Sequence, residues 1–189
     1  MVGLLLSRPA AAAEKQIRPF VGVTFAGATT FVDFENAAGG PNGVIGAAAV
    51  WLGDIVGVEA DLGWARSFFQ SGDQHQVLHS GVTTATGSIV LTLPRRLTEY
   101  TLRPYLVAGA GVMHVSIEHP LGVLPVTDTL PVIDLGAGAV GFVTNRVGVA
   151  WDIRRLGSIK DRTAPTGVTI GGAARLSFWR ASMAVAFRY

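Results

Sequence analysis

The last eleven residues constrain the fold more than any other stretch of the chain. From Trp179 to Tyr189 every odd position is apolar or aromatic: Trp179, Ala181, Met183, Val185, Phe187, Tyr189. The even positions are Arg180, Ser182, Ala184, Ala186 and Arg188. A period of two puts these sets on opposite faces of a β-strand. One face suits hydrocarbon, and the other carries two arginines and a serine. Chain ends fray unless something holds them, so a strand that runs to an aromatic last residue needs a structure that secures it.

Composition narrows the environment. Of the 189 residues, 49% are hydrophobic and 15% charged, with a mean hydropathy of +0.42. Soluble domains average about 25% charged residues. No apolar run approaches the ~18 residues of a transmembrane helix. An apolar chain without such a run can still cross a membrane as a closed barrel, because a barrel pairs every backbone group internally. The 24 glycines disfavour long helices. Cysteine is absent, which excludes disulfides and thiolate metal sites. A net charge of +2, with no basic run interleaved with aromatics, points away from nucleic acid.

In chain order, residues 1–13 read as the remains of an export signal, with a short apolar run from Val2 to Leu6 and an A-x-A site at Ala11-Ala12-Ala13. A disordered tail is the alternative. Residues 14–189 are expected to form one domain. Alternation then predicts eight strands: one from Phe20, then Val44–Leu52, Ile55–Phe68, Thr83–Leu93, Arg103–Val112, Val132–Val143, one from Val147, and the C-terminal strand. Gly53-Asp54 and Thr144-Asn145-Arg146 read as tight turns, and 35–42, 69–78, 117–129 and 157–168 as loops. Longer connections after strands one, three, five and seven alternate with shorter ones, the 94–101 connection being long for a turn. The expected fold is therefore all-β, an eight-stranded antiparallel up-and-down barrel crossing a membrane.

Charge placement decides which face points where. Glu59, Asp61, Asp152, Arg154, Arg180 and Arg188 share the small-residue face and are assigned to a lumen charge network. Eight strands leave an interior just wide enough for side chains to fill, and buried charges there must pair. Three basic residues, Arg66, Arg155 and Arg175, carry the apolar parity at the outer strand ends. They are expected to form a rim contacting lipid headgroups, including lipopolysaccharide phosphates, or else to be solvated loop-end arginines. Phe20, Trp51, Trp64, Tyr105, Trp179, Phe187 and Tyr189 are expected at the two aromatic girdles.

Taken together, Arg103-Pro104-Tyr105 with Ala108-Gly109-Ala110-Gly111, then Asp152-Ile153-Arg154, then the aromatic C-terminus resemble the bacterial outer-membrane β-barrel domain family of small OmpA/OmpX-type, porin-like proteins. The resemblance spans about residue 17 to 189. It implies a Gram-negative outer-membrane location, eight antiparallel strands and no enzymatic activity. It further implies insertion by the barrel-assembly machinery, reading the terminal signature Met183, Val185, Phe187, Tyr189. No peptidoglycan-binding domain is expected after the barrel, so the resemblance does not imply cell-wall anchoring.

The function expected is a non-enzymatic outer-membrane barrel, monomeric and without cofactors, with a structural or surface-interaction role. Two alternatives stand beside it. A soluble or periplasmic lipocalin-like barrel would need large apolar residues inside. A lipid A-modifying hydrolase would use a pair such as His114 and Ser116, which two-residue spacing puts on one face, with Glu118 on the same parity. A polar strand end entering a loop explains that pair as well. His75 and His79 fall in a predicted loop, and Gly136-Ala137-Gly138 lies within a strand, so neither supports a metal site or a phosphate loop.

Overall fold

A computed structural model describes residues 14–29, 41–66, 68, 79–94, 102–118, 126–159 and 176–189. The predicted export segment 1–13, Arg175 and His75 lie outside these residues. Eight strands follow one another: β1 (Glu14–Thr29), β2 (Asn42–Leu52), β3 (Val56–Arg66), β4 (His79–Thr92), β5 (Arg103–Glu118), β6 (Val126–Phe142), β7 (Val147–Ser158) and β8 (Leu176–Arg188). Each pairs antiparallel with the next, and β8 returns to β1, closing the barrel. Closure leaves no sheet edge, which is what a membrane demands of strands.

The closing seam is irregular. The β1–β8 register shifts between Phe25 and Ala28, and Ala26 in that gap has φ 49°. A non-glycine residue in the left-handed region marks a bulge, which bends the strand locally. Short connections define one end of the barrel. At Gly53–Ile55 the Gly53 amide donates to the Val56 carbonyl at 2.9 Å. At 143–146 the Thr144 hydroxyl oxygen accepts from the Val147 amide at 2.9 Å. The opposite end carries the connections 30–41, 67–78, 119–125 and 159–175, three of them longer than any at the first end, although 93–102 at the first end exceeds 119–125.

Several strands are longer than alternation predicts. β1 starts at Glu14 rather than Phe20, because its inward residues Glu14, Gln16 and Arg18 break the expected polarity. The loop expected at 117–129 is strand at both ends: β5 continues to Glu118 and β6 begins at Val126. Outward-facing threonines and serine there resemble loop composition. β2 likewise takes in Asn42, and β8 starts at Leu176.

The two faces differ in chemistry along every strand. β3 alternates strictly: Val56, Val58, Ala60, Leu62, Trp64 and Arg66 are exposed, whereas Gly57, Glu59, Asp61, Gly63 and Ala65 are buried. On β4 the inward residues are Ser80, Val82, Thr84, Thr86, Ser88, Val90 and Thr92, with Ile89 and Leu91 outside. Charged groups are thus enclosed while Ile, Val, Leu and Trp cover the exterior. A lipocalin-like barrel has the reverse arrangement, and the buried charges on β1, β3, β6, β7 and β8 rule that alternative out.

The lumen is layered. Towards the long-loop end lie Met113, Val115, Leu130, Leu156, Leu176 and Phe178, all buried. Phe68, just past β3, turns in among them, its ring centroid 4.9 Å from that of Phe178. The Asn42 side-chain amide donates to the Phe68 carbonyl at 2.8 Å and holds it there. Towards the short-turn end lie Val50, Leu52, Val90, Val140 and Ala186. Ion pairs occupy the middle.

Candidate functional site: the lumen network and the outer rim

Arg154 on β7 is the hub of the interior. Its guanidinium meets Glu59 at 2.5 Å, Asp152 at 2.8 Å and Asp134 at 3.2 Å. One cation shared by three carboxylates requires further partners for those acids. Asp152 accepts from the Ser182 hydroxyl at 2.6 Å and from Tyr105 at 3.2 Å. Asp134 accepts from Ser88 at 3.3 Å and from Thr86 at 3.5 Å. Glu59 also lies 3.9 Å from Arg18, whose guanidinium stacks 5.1 Å over the Tyr105 ring.

A second pair is geometrically closer to ideal. Arg180 on β8 donates both terminal nitrogens to the two oxygens of Asp61, at 2.8 and 2.9 Å. This fork-to-fork geometry is the strongest form of the arginine–carboxylate contact. The same guanidinium lies over the Phe20 ring, its central carbon 4.6 Å from the ring centroid. At the short-turn mouth Glu14 takes Arg103 at 3.4 Å and Arg188 at 3.2 Å. Arg103 also donates to the Thr92 hydroxyl at 2.7 Å, and Arg188 stacks 4.4 Å over Phe142.

Thus all six residues assigned to the lumen point inward. Four more ionised side chains join them: Glu14, Arg18, Arg103 and Asp134. Alternation could have found Asp134, which lies opposite Leu135, whereas Glu14 and Arg18 were hidden by the late start assigned to β1. Phe20 and Tyr105 are corrections. Both were expected at the membrane girdles, yet both are buried in the lumen, 6% and 3% exposed, where they serve as stacking surfaces for arginines. The glycine-rich inner face makes room for them. A Cβ at Gly138 would lie 2.7 Å from the Tyr105 ring, and one at Gly136 would lie 2.7 Å from Arg154 Cγ.

The cavity bounded by Arg18, Glu59, Tyr105, Asp152, Arg154 and Ser182 measures about 10 Å³, roughly the space of one water molecule. No group of His, Asp or Glu among the described residues is arranged to hold a metal ion.

On the exterior, Trp51, Trp64, Phe187 and Tyr189 are exposed. Trp179 is half-buried, with Arg155 over its ring at 5.8 Å. Arg66 and Arg155 are exposed on the outward parity near the long-loop end. Met183, Val185, Phe187 and Tyr189 form one outward row. His114 and Ser116 do share the outward face, but His114 Nδ1 bonds the Thr129 hydroxyl at 2.9 Å. The Glu118 side chain lies outside what is described.

No family model matches the sequence, and no curated protein matches it. Solved structures do. Neisserial surface protein A is 14% identical, with a TM-score of 0.61, covering 94% of this chain and 99% of that one. The N-terminal β-barrel domain of Pseudomonas aeruginosa OprF is 15% identical, with a TM-score of 0.60, covering 96% of this chain and 100% of that one. Ail, the attachment invasion locus protein of Yersinia pestis, solved with the heparin analogue sucrose octasulfate, is 12% identical, with a TM-score of 0.54, covering 94% and 100%. With its closed eight-strand topology and inverted faces, this chain has the fold of the small bacterial outer-membrane β-barrels of the OmpA/OmpX type.

Proposed function

We propose that this protein is a non-enzymatic barrel of the Gram-negative outer membrane, with a lumen closed to solutes and a structural and surface-interaction role. The observation that supports this is the buried network centred on Arg154, with the Phe68 and Phe178 rings packed together on its long-loop side. Such an interior supports stability rather than transport. The short-turn end is periplasmic and the long-loop end external, following the asymmetry of outer-membrane barrels. Arg66 and Arg155 contact lipopolysaccharide headgroups at the external rim. The row Met183, Val185, Phe187, Tyr189 is the signal read by the assembly machinery. The monomer is the functional unit. The Ail neighbour, solved with a polysulfated sugar analogue, supports a surface-interaction role for barrels of this shape.

Conductance tests the closed lumen. Protein refolded into planar bilayers is expected to show no steady single-channel current. Regular steps in wild-type protein would show a continuous water path and overturn the structural reading.

A further inference from the structure

On the outward surface of β3–β6 the apolar rows stop abruptly. Register places Leu62, Ala85, Val112 and Pro131 side by side. The next row towards the long loops is Trp64, Thr83, His114 and Thr129, and the one after it Arg66, Gly81, Ser116 and Thr127. Apart from Gly81, every residue in these two rows carries a hydrogen-bond donor. Arg66 and His114 are exposed, and Thr83 and Ser116 half-buried.

Their height follows from strand geometry. Counting along β4 from Leu91 at the short-turn end, Thr83 is about 20 Å up and Gly81 about 25 Å, for a rise of ~3.4 Å per residue and a tilt of ~40°. An outward apolar band is about 25 Å tall. Thr83 and Gly81 therefore stand where hydrocarbon gives way to headgroups, and their register partners on β3 and β5 lie within about 3 Å of those heights, given ~4.8 Å strand spacing.

Gly81 makes a hollow in this patch. Beside the position of an added Cβ the nearest atom is the Trp64 indole nitrogen, at 3.7 Å. The hollow is bounded by Arg66 on one strand and Ser116 on the other, with Thr83 and His114 below it. Thr129 engages His114 Nδ1, leaving Nε2 for an outside partner. No carboxylate occupies these two rows. Glu118 pairs with His79 in the next row out.

We infer that this hollow binds the phosphorylated sugar headgroup of an outer-leaflet glycolipid. The Arg66 guanidinium and His114 meet the phosphate, guanidinium being suited to paired contacts with its oxygens. The Thr83 and Ser116 hydroxyls and the Trp64 indole meet the sugar. This deepens the rim reading above and rests on it: among the rim contacts, the phosphate-selective one is placed at Arg66 on β3 with its β4 and β5 neighbours.

The test uses the full chain in phosphatidylcholine nanodiscs containing a minor fraction of lipid A, or of the same lipid dephosphorylated. Lipid retained per barrel is read by native mass spectrometry. Wild type is expected to retain the phosphorylated form about tenfold better. The pair Arg66→Gln with His114→Gln should remove that preference. So should Gly81→Val, which fills the hollow without altering charge. Arg146→Gln, exposed in the short turn at the opposite end, should leave it within about twofold. Variants are compared only where heat-modifiable gel migration shows a closed barrel, and Gly81→Val and the charge pair serve as independent probes. If wild type shows no preference, the rim reading itself fails. If the preference survives both β3–β5 changes but is lost in Arg155→Gln, the rim reading stands and the hollow is rejected.

Discussion

Arg154 shows how a single residue can organise this interior. It is 2% exposed and faces three carboxylates. Two opposing effects bear on its removal. Replacing a whole buried ionic cluster with apolar groups can be neutral, but removing one partner leaves uncompensated charge and costs about 3–5 kcal/mol. Here Glu59, Asp134 and Asp152 would remain, so the second effect dominates. Arg154→Met is expected to lower the urea midpoint of unfolding from lipid vesicles, and the unfolding free energy extrapolated from it by an amount in that range. An unchanged midpoint would mean that the ion pairs contribute nothing net. The glycines belong to the same scale. Gly136 and Gly138 leave the volume that Arg154 and Tyr105 occupy, so the small and the large residues of the lumen specify each other.

At the scale of the element, each strand keeps two environments apart by alternation alone. On β4, Ile89 is 55% exposed while its neighbours Ser88 and Val90 are buried. It lies within the apolar band, two rows below Ala85 on the same face. An arginine facing lipid near the midplane costs about 2–4 kcal/mol, whereas on a water-facing exterior the same change falls within about 0.5 kcal/mol. Ala85→Arg, about 16 Å up the same strand from Leu91 and close to the middle of the band, should therefore destabilise the barrel in vesicles by several times the cost of Thr127→Arg near the rim. Equal costs at the two positions would show that both face the same medium. The longer than expected β5 and β6 have the same origin. Their outer ends carry Ser116, Thr127 and Thr129 on the outward face, and polar side chains at headgroup height are compatible with continued strand pairing.

For the whole molecule, closure is the decisive event. β8 pairs with β1 as fully as sequential neighbours pair, so the first and last strands of the chain hold each other. The Tyr189 amide donates to the Lys15 carbonyl at 3.2 Å, tying the C-terminus to β1. A closed hydrogen-bonded cylinder resists detergent until heated. Protein refolded into detergent is expected to migrate differently on SDS gels before and after boiling. Identical migration, with protein that stays dissolved without detergent, would contradict both closure and membrane insertion.

What the sequence determined by itself was the alternation, and with it the strand count, the up-and-down order and the sorting of charge from hydrocarbon. These are local properties: a period of two assigns faces without knowledge of the partner strand. Glu59, Asp61, Asp152 and Arg154 were legible as inward residues for that reason. Partner choice was not. That Arg180 takes Asp61 from β3, or that Arg154 takes Glu59, depends on strand stagger and on distances across the lumen, which no single strand encodes. Phe20 and Tyr105 make the same point. In sequence they resemble girdle aromatics. Only the closed barrel, with glycines opposite and arginines lying over the rings, decided that they belong inside.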